Sequence, residues 1–294
     1  MAPMQVFATG IRSPQEASGT SVPWQFPSGA PVLRRSLCTL AQPCLKQPQH
    51  TPRFVFHEAA VVLVTAGRLD LDAGVAQVAV DSPASLLLVE PNTRADLVKT
   101  PGGSEQRFRS ILLTLASPLL EAFHRARSPA PADRQPHPAP FRQLLLDDDL
   151  ASTLRHVHAS VEVQRVGDER LQYRLMDLLA ALAERGHVFA PSAQHSTAGR
   201  LRTLIGEAPE RRWTAHEAGR ALAMSEATLR RRLANERERF DNLLVDVRMH
   251  HAMMLVQTTS WSIPLIAQAS GYQSRARFAE RFRARFGYLP SSVR

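Results

Sequence analysis

Between residues 54 and 115, apolar and polar positions alternate in short runs, at 54–56, 60–65, 68–71, 75–80, 86–89, 95–98 and 107–115. Turn-forming residues such as Gly67, Gly74, Pro83, Asn92 and Gly103 separate them. A period of two puts alternate side chains on one face of a strand, so many short strands at close spacing predict a small antiparallel barrel or sandwich. The pattern then changes. Leu150, Leu154, Val157 and Val161 recur at intervals of three and four, as do Leu171, Leu175, Leu178, Leu179 and Leu182, so two amphipathic helices are expected. Such a stripe serves either the core of its own domain or a dimer seam. Residues 1–50 are rich in Pro, Ser, Gly and Thr without a sustained period and read as an irregular arm, while 128–140 and 186–199 read as linkers.

The last third contains an internal repeat, which identifies a structural unit. Ala218, Ser225, Leu229 and Leu233 recur 49 residues later as Ala267, Ser274, Phe278 and Phe282. Helix-start signals precede each copy. Thr214 and Glu217 have capping-box spacing, and Ser262 is followed by a Pro early in the first turn. Each copy therefore predicts helix, short turn and helix, with Ser225 and Ser274 capping the second helix, and places helix-turn-helix units at 214–236 and 262–286. In such units the second helix enters the major groove. Leu229/Leu233 and Phe278/Phe282 must face inward, which leaves Ala227 and Arg231 outward in the first copy and Ala276 and Glu280 in the second. Arg230, Arg275, Arg277, Arg281 and Arg283 lie on the flanks. A small residue followed by Arg lets a helix approach base edges and reach guanine O6 and N7. The apolar positions of 240–257 predict one helix of roughly 27 Å between the copies, near the ~34 Å separation of successive major-groove faces.

Charge sharpens this picture. The chain of 294 residues carries a formal net charge of +9, and residues 198–294 hold 17 Arg, no Lys and 9 acidic residues, so that +8 falls on the repeat. Arginines concentrated on one domain are the footprint of a polyanion partner. Composition excludes other classes. Two cysteines, Cys38 and Cys44, cannot build a disulfide scaffold or a four-ligand zinc set. There is no run of eighteen apolar residues and no secretory leader pattern, so a cytoplasmic protein without a membrane span is expected.

The stretch from Ile266 to Pro290, with Arg294 beyond it, resembles the signature of the AraC/XylS family of transcriptional regulators. Residues 218–233 with 244–248 are similar to that family's first motif and linker helix. The resemblance covers residues 198–294. It implies an all-α DNA-binding domain with two helix-turn-helix motifs joined by a linker helix, and transcriptional regulation, usually activation through RNA polymerase. The chain departs from the pattern at Glu280, where the family usually has Arg. A carboxylate there could accept from cytosine N4 or pair with Arg277 or Arg283 and touch no base.

Residues 54–115 resemble the cupin-like N-terminal barrel of the same family, followed by helices, so the implied class is α+β with an effector-sensing and dimerisation region over 51–190. The effector would be a small molecule or a protein, and a homodimer through 141–187 is expected. The expected DNA contacts are Ser225, Ala227, Thr228, Arg230, Arg231, Ser274, Arg275, Ala276, Arg277, Glu280 and Arg283. Arg230 and Arg231 are assigned to base readout, and the two serines with Arg275, Arg277 and Arg283 mainly to phosphates. A repressor, and a metal-dependent cupin enzyme fused to a DNA-binding domain, are the alternatives. The second lacks support in the sequence. His57 and Glu58 are neighbours, which on a strand point to opposite faces, and His156/His158 and His250/His251 lack ligand spacing. No catalytic, cofactor or metal site is expected.

Overall fold

The computed structural model describes residues 29–127, 139–162, 166–190 and 196–293. The first part of the expected arm and nearly all of the 128–140 linker lie outside these residues. Eleven strands are formed among them: β1 (Val32–Arg34), β2 (Cys38–Ala41), β3 (Cys44–Leu45), β4 (Gln49–Phe56), β5 (Ala59–Ala66), β6 (Arg68–Asp72), β7 (Gln77–Val80), β8 (Ser85–Val89), β9 (Thr93–Thr100), β10 (Phe108–Leu115) and β11 (Phe141–Leu145). They make two antiparallel sheets rather than one closed barrel. The larger runs β1-β2-β10-β5-β8-β11 with β3 also on β10, and the smaller runs β4-β9-β6-β7.

The larger sheet is apolar on both faces, and a period of two sorts its side chains. Ala59, Val61 and Leu63 of β5, with Leu86 and Leu88 of β8, face the helices α1 (Ser117–Ala126), α2 (Asp148–Glu162) and α3 (Asp168–Glu184). Ala60, Val62 and Val64, with Leu87 and Val89, face the smaller sheet and pack with Phe56, Leu69, Leu71 and Leu97. Each such fully buried side chain contributes on the order of 1.5–3 kcal/mol. That double burial makes β5 and β8 continuous apolar runs instead of alternating ones.

Several expectations are corrected here. Residues 32–45 carry β1–β3 rather than irregular chain, because Cys38, Leu40 and Leu45 fill one edge of the larger sheet. Helix α1 and strand β11 lie in segments for which no element was expected. The leucine stripe of α3 is buried against α2 and the larger sheet, with Leu171, Leu175, Leu178 and Leu182 each 0% exposed. The stripe is therefore core of its own protomer.

Helices α4 (Thr197–Gly206), α5 (Ala215–Ala221), α6 (Glu226–Asn235), α7 (Phe240–Thr258), α8 (Ile263–Ala269) and α9 (Arg275–Phe286) complete the fold, with a closing 3-10 turn at Pro290–Val293. Helix α4 occupies residues read as the end of a linker. The first motif has its own core, in which Leu229 and Leu233 meet Leu201, Ile205, Trp213 and Leu243. The second does not. Phe278, Phe282 and Phe286 belong to one apolar cluster with Met249, Met253 and the smaller sheet's Phe56 and Leu97.

Candidate DNA interface and effector cleft

Helices α6 and α9 begin as their sequences dictate. Ser225 Oγ accepts from the amide of Thr228 at 3.2 Å, and Ser274 Oγ from that of Arg277 at 3.3 Å. The capping box of α5 is complete, with the Glu217 amide donating to Thr214 Oγ1 at 3.1 Å and the Thr214 amide to Glu217 at 3.0 Å. The two turns use glycine differently. Gly271 itself adopts φ +77°, which L side chains rarely take. In the first motif Ala223 takes that left-handed place at φ +57°. There Gly219 lets the turn close, since a Cβ would lie 2.9 Å from the Met224 carbonyl.

The side chains expected to reach DNA lie on the outside. Ser225, Ala227, Arg230, Arg231, Ser274, Arg275, Ala276, Arg277, Glu280 and Arg283 are exposed, and Thr228 is half-buried. Arg230 donates from Nε to Glu226 Oε1 at 2.9 Å, an interaction that leaves both terminal nitrogens available for a bidentate acceptor. Among the described residues no ion pair joins Glu280 to Arg277 or Arg283.

Arg248 of α7 ties the two motifs together. It donates to the carbonyls of Pro209 at 3.0 Å and Arg211 at 2.8 Å ahead of the first motif. Its guanidinium also lies over the Tyr272 ring, in the turn of the second, at 5.7 Å. The linker helix thereby ties the segment ahead of the first motif to the turn of the second through one charged side chain.

On the opposite side the DNA-binding region meets the sheets. Arg285 reaches back from α9 to β4, donating to the carbonyls of Pro52 at 3.1 Å and Arg53 at 2.8 Å. The β4–β9 register shifts between Thr51 and Phe54, and Arg53 has φ +49°, so a bulge turns these carbonyls outward. Arg285 also donates from Nε to Asp246 Oδ1 at 3.0 Å and approaches His250 Nε2 at 3.1 Å. Burial pushes the Asp246 carboxyl up, but His57, His250 and the Arg285 guanidinium around it outweigh burial and hold the group well below the usual carboxylate range. Burial lowers His250 to about 3.

Beside this contact a cleft of about 540 Å³ opens between the larger sheet and α4 and α7. Phe54, Phe56, Leu112, Leu204 and Val247 are part of its apolar wall, and its polar lining includes Arg35, Arg200, His57 and His250 together with the carboxylates Glu58 and Glu207, the latter 3.6 Å from Arg35. A small apolar cavity of about 30 Å³ shares Phe54, Phe56 and Leu112 with it, and Lys99 lines its far side. Lys99 is 8% exposed and burial lowers it to about 7. It donates to Gln257 Oε1 at 2.6 Å, Gln257 donates to Gln49 at 2.5 Å, and Tyr288 donates to the His50 carbonyl at 2.8 Å. This chain of polar groups crosses from β9 through α7 to the end of α9. Sequence reading missed it, along with Asp246 and Arg285, and set His57 and His250 aside for want of ligand spacing, because residues far apart in the chain are brought together and none carries a local motif. Arg109, on a strand, pairs with Glu105 at 2.5 Å and lies outside the cleft.

Two helix-turn-helix motifs on one linker helix, with Arg-bearing recognition helices outward, define a DNA-binding domain of the double-motif class. Residues 219–294 match the family model described as a helix-turn-helix domain, and this part of the chain is an AraC/XylS-type DNA-binding domain. Curated relatives include the HTH-type transcriptional regulator YdeO of Escherichia coli K12, 33% identical over 98 residues, or 33% of this chain and 38% of that protein. The virulence regulon transcriptional activator VirF of Shigella flexneri is 27% identical over 125 residues, 42% and 48% of the two chains. The chain spans less than half the length of these curated relatives. Across both regions the fold is that of ToxT from Vibrio cholerae, solved with an unsaturated fatty acid bound, with a TM-score of 0.57 at 14% identity over 88% of this chain and 96% of that one. Among the described residues no helix is long and apolar enough to cross a membrane.

Proposed function

We propose that this chain is a sequence-specific, DNA-binding transcriptional regulator of the cytoplasm, an activator working through RNA polymerase, whose N-terminal region senses an effector and has no enzymatic activity. The observation that carries this reading is the pair of capped recognition helices, each with exposed arginines, fixed on one linker helix through Arg248. Arg230 and Arg231 read bases; Ser225, Ser274, Arg275, Arg277 and Arg283 hold phosphates. Ala227, Thr228 and Ala276 let the helices approach the groove, and Glu280 meets a cytosine amine.

The effector enters the cleft between the larger sheet and α4 and α7. ToxT has been solved with an unsaturated fatty acid and with a naphthalenyl butenoic acid, both carboxylic acids on apolar bodies. The cleft of this chain has an apolar wall and the cations Arg35 and Arg200 at hand, a lining suited to the same class. The chain forms a homodimer through the region 141–187.

Selection of bound sequences from a random DNA pool, followed by in vitro transcription from a promoter carrying the selected site, tests the reading. An enriched sequence and a rise in transcript support it. Binding without sequence preference would overturn the regulator assignment, and a transcript that only falls would replace activation by repression.

A further inference from the structure

Where β4 passes into β5, His57 faces α7, one turn of which carries Asp246 and His250. The coordinating atoms of the three lie within 4.8 Å of one another. His57 Nε2 stands 3.8 Å from Asp246 Oδ2, and His250 Nδ1 the same distance from that oxygen. These separations are too long for hydrogen bonds, and His57 Nε2 is a buried nitrogen without a hydrogen-bond partner. An unsatisfied buried nitrogen aimed at a carboxylate oxygen and a second imidazole calls for an explanation.

We propose that His57, Asp246 and His250 form a divalent transition-metal site, of the kind zinc occupies, spanning the effector-sensing region and the linker helix. Two imidazoles and one carboxylate are a donor set that such ions take, with bonds of about 2.0–2.2 Å. Tetrahedral bonds of that length put ligand atoms roughly 3.4 Å apart, so each imidazole nitrogen has to close on Asp246 Oδ2 from 3.8 Å, and the two imidazole nitrogens, within 4.8 Å of each other, have to settle to the same spacing. Both imidazoles line the cleft, which gives the ion an entry path and leaves its remaining position facing the cleft.

Arg285 acts on the site from behind. Its bond to Asp246 Oδ1 directs Oδ2 toward the two rings. Its approach to His250 Nε2 requires a lone pair on that nitrogen, which leaves the proton on Nδ1. Metal binding at Nδ1 moves that proton to Nε2, with no net release, and turns the Arg285 donor away to its other acceptor, the Arg53 carbonyl. The guanidinium already balances the Asp246 charge, so a dication favours an anion as its fourth ligand. The site joins the β4–β5 connection to α7, and filling it would clamp the linker helix to the sheets.

Cobalt titration of the full-length protein tests this through the visible absorption of tetrahedral or five-coordinate Co²⁺, with Zn²⁺ as competitor. One equivalent of Co²⁺ that develops those bands, is displaced by Zn²⁺, and is lost in both His57→Asn and His250→Asn is the expected result. His57 is partly exposed, so His57→Asn should keep the metal-free melting temperature while losing the upward shift that Zn²⁺ gives the parent protein. The absence of stoichiometric binding, or binding retained in His57→Asn, overturns the proposal.

Discussion

Arg285 Nη2 donates to the Arg53 carbonyl at 2.8 Å, joining the last turn of the second recognition helix to a bulge in the smaller sheet. A bulge frees carbonyls that a regular ladder would use, and a guanidinium fork is the side chain best shaped to collect several acceptors at once. With Asp246 on the same guanidinium, three separate parts of the chain meet at one residue.

Replacing Arg285 by Ala leaves Asp246 without its partner in a mostly buried position, and a loss of about 2–4 kcal/mol in stability is expected. Arg285→Lys retains the charge but loses the fork, and should recover less than half of that. Urea denaturation followed by tryptophan fluorescence measures both, and parent-like stability of Arg285→Ala would remove the residue's structural role.

At the DNA surface, Arg231→Ala should cost about 1–3 kcal/mol on the preferred site and relax specificity at one base pair. Arg283→Ala should weaken all sequences alike and reduce the salt slope by roughly one unit. Fluorescence anisotropy on preferred and random duplexes across a salt series separates the two. Equal losses on both duplexes for Arg231→Ala would count against base contact.

Lys99 supplies a pH signature. Burial lowers it to about 7 from an ordinary 10.5. Between those values the unfolded chain binds a proton that the folded one does not, so stability rises with pH across that window, and below it the cost of burying the amine is fully present. Lys99→Met removes the titrating group. The parent protein should therefore gain stability from pH 7 to pH 9, while the variant shows a flatter profile and is more stable at pH 7. Equal slopes in matched denaturation curves would show that the amine stays hydrated.

Gly271→Ala forces a left-handed residue and sets a Cβ 2.6 Å from both the Arg248 guanidinium and the Pro209 carbonyl. A cost of about 1–3 kcal/mol is expected. Since Arg248 spans the two motifs, the variant should also tolerate changes in half-site spacing. Insertion of one base pair between the half-sites should weaken the parent protein more than the variant, as read by gel shift.

What could be read from the sequence was what is local. The caps at Thr214, Ser225, Ser262 and Ser274, the inward Leu229/Leu233 and Phe278/Phe282 pairs and the extent of α7 all follow from spacings within one or two helical turns. The strands from Ala59 onward were equally legible, because four to eight residues suffice to show their period. Strands β1–β3 were not: each has two to four residues, Gln42 and Pro43 interrupt them, and their pairing partners are distant β10 for β2 and β3, with β1 added on β2. Helix α1 opens on Ser-Pro directly after a strand, and β11 stands apart from the other strands, beyond residues 128–140, where it pairs with distant β8. The leucines of α3 carried a helical period that served a core and a seam equally well. Only their packing against α2 and the larger sheet decided between them. The meeting of His57, Asp246, His250 and Arg285 depends on how two regions dock, and no single segment encodes it.

The two recognition helices differ in what lies behind them. Leu229 and Leu233 close a core made within the DNA-binding region, whereas Phe278, Phe282 and Phe286 share theirs with the sheets. The two helices are thus like the jaws of a caliper, one bolted to the frame of the sheets and the other carried on an arm made of α4 and α7. A load on the frame reaches the bolted jaw directly and the other only through that arm.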